Sequence, residues 1–119
     1  MARDSMAYLK SKAFASRIIK MYMHLTEKKG ERVLSKQVLR SGTSIGANLS
    51  EADWASSKAD FLSKVNIAHK EAHETVYGLA LLGENRFLTP KIYTLISSDC
   101  NELISMFVAP RKTLATRKD

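Results

Sequence analysis

Two histidines four residues apart are the side chains of this chain best suited to metal chemistry. His69 and His73 would share one face of a helix, where two imidazoles can reach one cation. A zinc protease motif needs glutamate directly after the first histidine, but Lys70 stands there. Di-metal helical bundles need Glu-x-x-His on each of two helices, and no glutamate here precedes a histidine by three residues. We therefore expect no functional metal site, which makes a metal-dependent enzyme the least favoured function.

The other patterns typical of catalysis or cofactor binding are also missing from the sequence. No nucleophile elbow occurs, and segment 42–46 lacks the Gly-Lys-Ser/Thr ending of a phosphate loop. Cys100, the single cysteine, excludes an intrachain disulfide and falls on an apolar helical stripe, which indicates a buried structural thiol. We expect a protein that is not an enzyme, with no catalytic residues and no cofactor.

Basic residues are concentrated in the first third of the chain. Residues 1–40 hold ten basic and three acidic side chains, which accounts for the whole net charge of +7. Along the first helix these cations recur at helical spacing and so line one face. A localised positive field is typical of a protein that binds a polyanion, although a solvated helix face is the alternative. The residues predicted to contact nucleic acid are Lys10, Arg17, Lys20, Lys28, Lys29, Arg32, Lys36 and Arg40.

Segment 40–51 combines small and polar residues that are poor helix formers. Gly42 and Gly46 would each cost about 1 kcal/mol relative to alanine inside a helix. A favourable interaction must offset this cost in helix propensity. Two glycines four residues apart allow another helix to pack closely against this face. The alanines at 68 and 72 of the third helix are the expected neighbours. A tightly packed helix crossing is favoured over a ligand-binding site.

A polar face runs along the same segment and along the third helix. Ser44, Asn48 and Glu51 share one helical face, while Glu71 and Glu74 lie three residues apart on the third helix. If the two helices are antiparallel neighbours, these carboxylates could face Arg40, Ser44 or Asn48. The sequence predicts a structural polar network between helices or subunits, comprising Ser44, Asn48, Glu51, Glu71 and Glu74.

Four amphipathic helices position these residues. The first is predicted over about 5–27 from an apolar stripe that includes Phe14 and Ile18, and Gly30 is its left-handed cap. The second begins after Val33 or Leu34 with Ser35 as N-cap. Trp54 falls near its end, where we expect it to cover one end of the core rather than to stack on a base.

The last two helices carry clear start signals. Ser57-x-x-Asp60 is a variant of the capping box, and Thr89-Pro90 combines an N-cap with proline at the first helical position. Pro110 is expected to end or kink the fourth helix. The sequence thus predicts an all-α fold, an antiparallel up-down-up-down four-helix bundle of one domain over residues 1–119, with residues 111–119 as a flexible basic tail.

Hydropathy places the chain outside a membrane. No apolar run reaches the 18 or so residues of a transmembrane helix. The N-terminal region lacks the apolar core of a signal peptide, because Lys10, Lys12 and Arg17 interrupt it. We expect a cytoplasmic protein.

Two linked patterns carry a family resemblance. Residues Arg40-Ser41-x-x-Ser44-Ile45-x-x-Asn48-Leu49-x-Glu51 precede Phe61-x-x-x-Val65-x-Ile67-Ala68-x-x-Glu71-x-x-Glu74. Together they resemble the bacterial four-helix-bundle family encoded in intervening sequences of 23S rRNA genes, and more distantly the accessory variability proteins of diversity-generating retroelements. The chain departs from the common pattern at Ala52 and Trp54. The resemblance implies a four-helix bundle, a ring-shaped homopentamer and a basic surface that binds nucleic acid.

Two functions remain open from the residues. The first is an oligomeric module that binds RNA or an RNA–DNA hybrid through backbone electrostatics, since no base-reading motif is present. The second is an oligomeric protein-interaction scaffold in which the charge serves solubility or partner choice.

Overall fold

Four α-helices form the part of the chain that the structure describes. The computed structural model describes the backbone of residues 6–116 and the side chains of residues 6–107. The helices are α1 (Met6–Lys28), α2 (Leu34–Ala52), α3 (Lys58–Glu84) and α4 (Pro90–Thr116). Of the four helix pairs in contact, α2 and α3 share the most extensive contact and α1 and α4 the least. The predicted all-α, up-down arrangement is confirmed, and no described residue belongs to a strand.

The core follows the apolar stripes read from the sequence. From α1 it receives Phe14, Ile18, Met21 and Leu25, which recur at helical spacing and are all buried. Cys100 is also buried, as predicted for a structural thiol. Leu88 of the α3–α4 connection is buried as well, and the other large buried apolar side chains come from the three remaining helices: Val38, Ile45, Leu49, Val65, Leu79, Leu82, Ile96, Leu103 and Phe107.

Three of the predicted helix ends are confirmed. Gly30 has φ +67°, and the N–H of Glu31 donates to the carbonyl of Leu25 at 3.0 Å, which closes α1 as a left-handed cap requires. Ser57 is the N-cap of α3, and its hydroxyl accepts from the N–H of Asp60 at 3.0 Å. Thr89 accepts from the N–H of Ile92 at 3.2 Å at the start of α4.

The predicted N-cap of α2 is wrong. Ser35 lies inside the helix, and the N-cap residue is Val33, whose side chain makes no capping bond. The carboxylate of Glu31 takes that role, because it accepts from the N–H groups of Val33, Leu34 and Ser35 at 2.8, 2.8 and 2.7 Å. The left-handed turn at Gly30 brings this side chain back over the helix start.

The glycines of α2 meet a different helix from the one expected. A Cβ on Gly42 would lie 3.2 Å from two side-chain carbons of Ile18, and a Cβ on Gly46 would lie 3.0 Å from the hydroxyl of Ser11. Both neighbours belong to α1, so the close crossing joins α1 and α2 rather than α2 and the alanines of α3. Helical spacing places the glycines on one face but does not say which neighbour that face meets.

Two predictions at element ends are also corrected. Trp54 is 77% exposed and so does not cover the core; Ala52 is the buried residue at this end of α2. Helix α4 continues through Pro110 to Thr116, so Pro110 does not end it, and residues 111–116 belong to the helix. A kink at Pro110 and the flexibility of the tail stay predictions. Residues 117–119 lie outside the described residues. Within the described chain, none of the helices combines the length and apolar character needed to cross a bilayer.

Candidate nucleic-acid interface

The predicted basic residues separate into paired and unpaired groups. Lys10 Nζ lies 2.9 Å from Glu102 Oε2, and Arg17 Nε lies 2.9 Å from Asp99 Oδ2, so both cations are tied to α4. Arg40 bonds Glu74 and, at 3.4 Å, Glu71 on α3. These three charges are already partly neutralised within the bundle.

Five of the predicted cations are exposed and make no ion pair with another described residue. They are Lys20, Lys28, Lys29, Arg32 and Lys36. Four of them lie where α1 ends and α2 begins, whereas Lys20 lies about 12 Å along the helix axis from Lys28. An unpaired, exposed cation keeps its full charge for a polyanion, so the unpaired group is the part of the prediction that the geometry favours.

Antiparallel topology adds a cation that sequence reasoning missed. The α3–α4 connection lies at the same end of the bundle as the α1–α2 connection, and it carries the exposed Arg86. Arg86 and Lys29 line one hollow of about 520 Å³, together with Glu84 and the start of α4. The helix dipole of α4 adds positive potential there. Arg86 could have been predicted from the sequence. In an up-down bundle with short connections, the first and third connections lie at the same end.

We call Lys28, Lys29, Arg32, Lys36 and Arg86 the basic end. Glu27 and Glu84 are the exposed acids nearby in the sequence, and Glu31 is buried as the cap of α2. Burial raises the pKa of the Glu31 carboxyl, but hydrogen bonds from three backbone N–H groups lower it more, so its net pKa lies below the ordinary value. The cations therefore outnumber the exposed acids, and the local field is positive.

The residues predicted to form one polar network make separate contacts. Asn48 Nδ2 donates to the carbonyl and hydroxyl oxygens of Ser44 at 2.9 and 3.0 Å, which is a contact inside α2. Lys64 on α3 lies 3.1 Å from Glu51. Together with the bonds of Arg40 to Glu71 and Glu74, these contacts link the exposed edges of α2 and α3.

A buried hydrogen bond between the same helices was missed. Thr75 Oγ1 donates to Ser41 Oγ at 2.8 Å, and both residues are almost fully buried. Serine and threonine occur both on surfaces and in cores, so their identity did not predict that Ser41 and Thr75 are buried. The hydrogen bond between them becomes visible only once α2 is packed against α3.

An apolar groove lies between α1 and α4, the pair of neighbouring helices with the least contact. It has a volume of about 470 Å³. Ile92 and Leu95 are 42% and 55% exposed within it, and Arg17, Lys20 and His24 stand along its α1 side. Exposed apolar side chains that lie together in a groove are more typical of an interaction surface than of a solvated one.

These features define a four-helix bundle protein with a cationic end and an exposed apolar groove. The chain belongs to the 23S rRNA-intervening sequence protein family, whose family model matches residues 3–109. It is similar to a crystal structure, at 1.70 Å resolution, of a protein with unknown function of the S23 ribosomal protein family from Bacteroides thetaiotaomicron. The two are 46% identical, with a TM-score of 0.88 over 89% of this chain and 98% of that one. No curated protein matched the chain.

Proposed function

We propose that this protein is a non-enzymatic, homo-oligomeric bundle that binds RNA or an RNA–DNA hybrid by contacts to the phosphate backbone. The observation that supports this most directly is the basic end, where five exposed cations remain without an ion-pair partner among the described residues. Cations that neutralise phosphates release condensed counterions, which gives salt-sensitive affinity with little sequence preference.

The paired cations contribute less in this proposal. To contact phosphate, Arg17 would have to leave Asp99, and Arg40 would have to leave Glu71 and Glu74. Lys28 and Lys36 give up no such partner among the described residues. Binding should therefore be centred on the basic end, whereas Lys20 stands beside the apolar groove and contributes less.

Oligomerisation forms the second half of the proposal. The family resemblance implies a ring of five, and the apolar groove between α1 and α4 offers a surface for a second copy. A ring would bring several basic ends to one strand of nucleic acid. Linked sites raise overall affinity without any new contact, so a modest patch on each chain becomes sufficient.

The test is fluorescence anisotropy of nuclease-treated protein with a structured RNA and a DNA duplex, from about 50 to 200 mM salt. We expect measurable affinity that falls steeply with salt. Negligible binding at the lowest salt would overturn the proposal. The ratio of RNA to DNA affinity then identifies the preferred nucleic acid.

Two double variants with equal reduction of charge locate the site. One replaces Lys28 and Lys36 with glutamine at the basic end, and the other replaces Lys12 and Lys70, which are exposed elsewhere. The first should weaken binding and reduce the salt slope by about two, or about one for each phosphate that is no longer neutralised. The second should leave the slope unchanged. Equal effects would show that net charge matters and the basic end does not.

A protein-interaction scaffold is the second candidate function. The exposed Ile92 and Leu95 in the groove favour it, because they suit a protein partner as well as a second copy. A purified protein with no ultraviolet signature of nucleic acid, which retains a cellular protein at high salt, would favour the scaffold. Salt-sensitive retention of nucleic acid would favour the first proposal.

A further inference from the structure

We propose that His69 and His73 form a two-imidazole chelate for a divalent transition-metal ion. The two side chains lie on successive turns of α3, and their Nε2 atoms are 3.2 Å apart. Their ring centroids are 4.8 Å apart, with an angle of 51° between the planes. The two Nε2 atoms are therefore close enough together to share one ion.

The separation of the nitrogens fits coordination to one metal ion. With metal–nitrogen bonds of about 2.0–2.1 Å, two ligands at a right angle lie about 2.9 Å apart and two at the tetrahedral angle about 3.3 Å apart. The observed 3.2 Å falls between these values, so the two nitrogens already have the separation that one ion requires, and a rotation of the rings would direct both at it. The metal would replace the hydrogen bond between the rings, with each ring then carrying its proton on Nδ1.

The surroundings of the pair make it both accessible and held in place. His73 is exposed, whereas His69 is half-buried and packs beside the ring of Phe107, with centroids 5.9 Å apart. Asn66, Lys70 and the two histidines line an open hollow at this position. A ligand held by packing gives up less freedom when it binds, while the open hollow admits the ion together with its remaining water ligands.

The missing zinc-protease and di-metal motifs led us to expect no functional metal site, and the two-histidine pair belongs to neither of those classes. No cluster of three or more His, Cys, Asp or Glu side chains among the described residues could hold a metal. Two protein ligands with water completing the coordination sphere give an exchangeable site, and the charge of Lys70 lowers its affinity further. Imidazole ligands select ions such as Ni²⁺, Cu²⁺ and Zn²⁺ over Mg²⁺ and Ca²⁺.

The experiment is isothermal titration calorimetry with Ni²⁺, on protein purified without a polyhistidine tag. We expect about one Ni²⁺ per chain, and Cu²⁺ should bind more tightly than Ni²⁺. His73→Ala should weaken binding at least tenfold, because even removal of an outer-shell partner costs about that much. His24→Ala is the matched control, since it removes the only other histidine, and it should bind as the wild type does.

A thermal melt separates removal of a ligand from unfolding of the chain. His73 is exposed, so His73→Ala should unfold at the wild-type temperature without metal, but it should lack the stabilisation that Ni²⁺ gives the wild type. Equal metal binding by the wild type and His73→Ala would overturn the proposal. Failure of His24→Ala to bind would also overturn it, because the ion would then bind at a different place.

Discussion

At the scale of single residues, Glu31 shows how one side chain can define the start of a helix. Its carboxylate receives three backbone N–H bonds from the first residues of α2 and is buried. Serine is a common N-cap and glutamate is not, so residue type alone favoured Ser35. The cap depends on the reversal of the chain at Gly30, and N-cap preferences of single residue types do not take such a reversal into account.

Replacing Glu31 should therefore destabilise the bundle. Glu31→Ala removes the acceptor of three N–H groups, and we expect a decrease of about 1–2 kcal/mol in the free energy of unfolding, as for removal of a strong N-cap. Urea denaturation at neutral pH measures it. The matched control is Glu27→Ala, an exposed position one turn earlier, which should change stability by less than about 0.5 kcal/mol.

The same carboxylate adds a pH dependence of known sign. Hydrogen bonding holds the folded-state pKa of Glu31 below the ordinary value of 4.5. Its contribution to stability is therefore complete above the unfolded-state pKa and is lost as the pH falls through the folded-state value. The stability gap between the wild type and Glu31→Gln should shrink below about pH 4.5. If the difference in the free energy of unfolding between the two proteins did not change below about pH 4.5, Glu31 would not be the cap of α2.

At the scale of elements, the helices were predictable but their mutual register was not. The apolar stripe with Phe14 and Ile18 predicted α1, and Thr89-Pro90 predicted the start of α4, because these signals are local. The ion pairs of Lys10 with Glu102 and of Arg17 with Asp99 depend on how far α4 is shifted along α1. Capping motifs and apolar stripes do not determine this axial offset between two helices. The sequence therefore could not show which cations form ion pairs and which do not.

The crossing of α1 and α2 yields a prediction at this scale. Gly42→Leu would force a side chain against Ile18, which is fully buried and would already lie 3.2 Å from an added Cβ. We expect destabilisation of about 1–3 kcal/mol or more, which outweighs the gain of about 1 kcal/mol in helix propensity. Thermal and urea unfolding measure the net effect.

Ala47→Leu is the control for this crossing. Ala47 is an exposed residue of the same helix, so the larger side chain there meets solvent rather than α1. Its stability should stay within about 0.5 kcal/mol of the wild type. If Gly42→Leu were as stable as Ala47→Leu, the glycine would not be needed for the close approach of the two helices.

At the scale of the whole molecule, the up-down topology brings together basic residues from two connections that are far apart in the sequence. Lys29 and Arg86 are far apart along the chain, yet they line one hollow because both connections lie at the same end of the bundle. The apolar groove arises in the same way, from α1 and α4. Neither surface corresponds to a continuous motif, and both follow once the four helices are placed antiparallel.

The proposed ring places its interface in this groove, and Leu95→Glu tests it. A carboxylate at a residue that is 55% exposed in a single chain leaves the fold intact but would lose its hydration between two copies, a cost that an ion pair with Lys20 in the groove offsets only in part. Sedimentation equilibrium should give the wild type a mass that is a multiple of 13.3 kDa and give Leu95→Glu a smaller one.

Ser98→Glu is the control. It adds the same charge at an exposed position of α4 that does not line the groove, and it should keep the wild-type mass. Because linked sites act together, Leu95→Glu should also bind nucleic acid more weakly than Ser98→Glu does. A wild type that sediments as a single chain would contradict the ring, whereas an oligomeric Leu95→Glu would place the interface on another face.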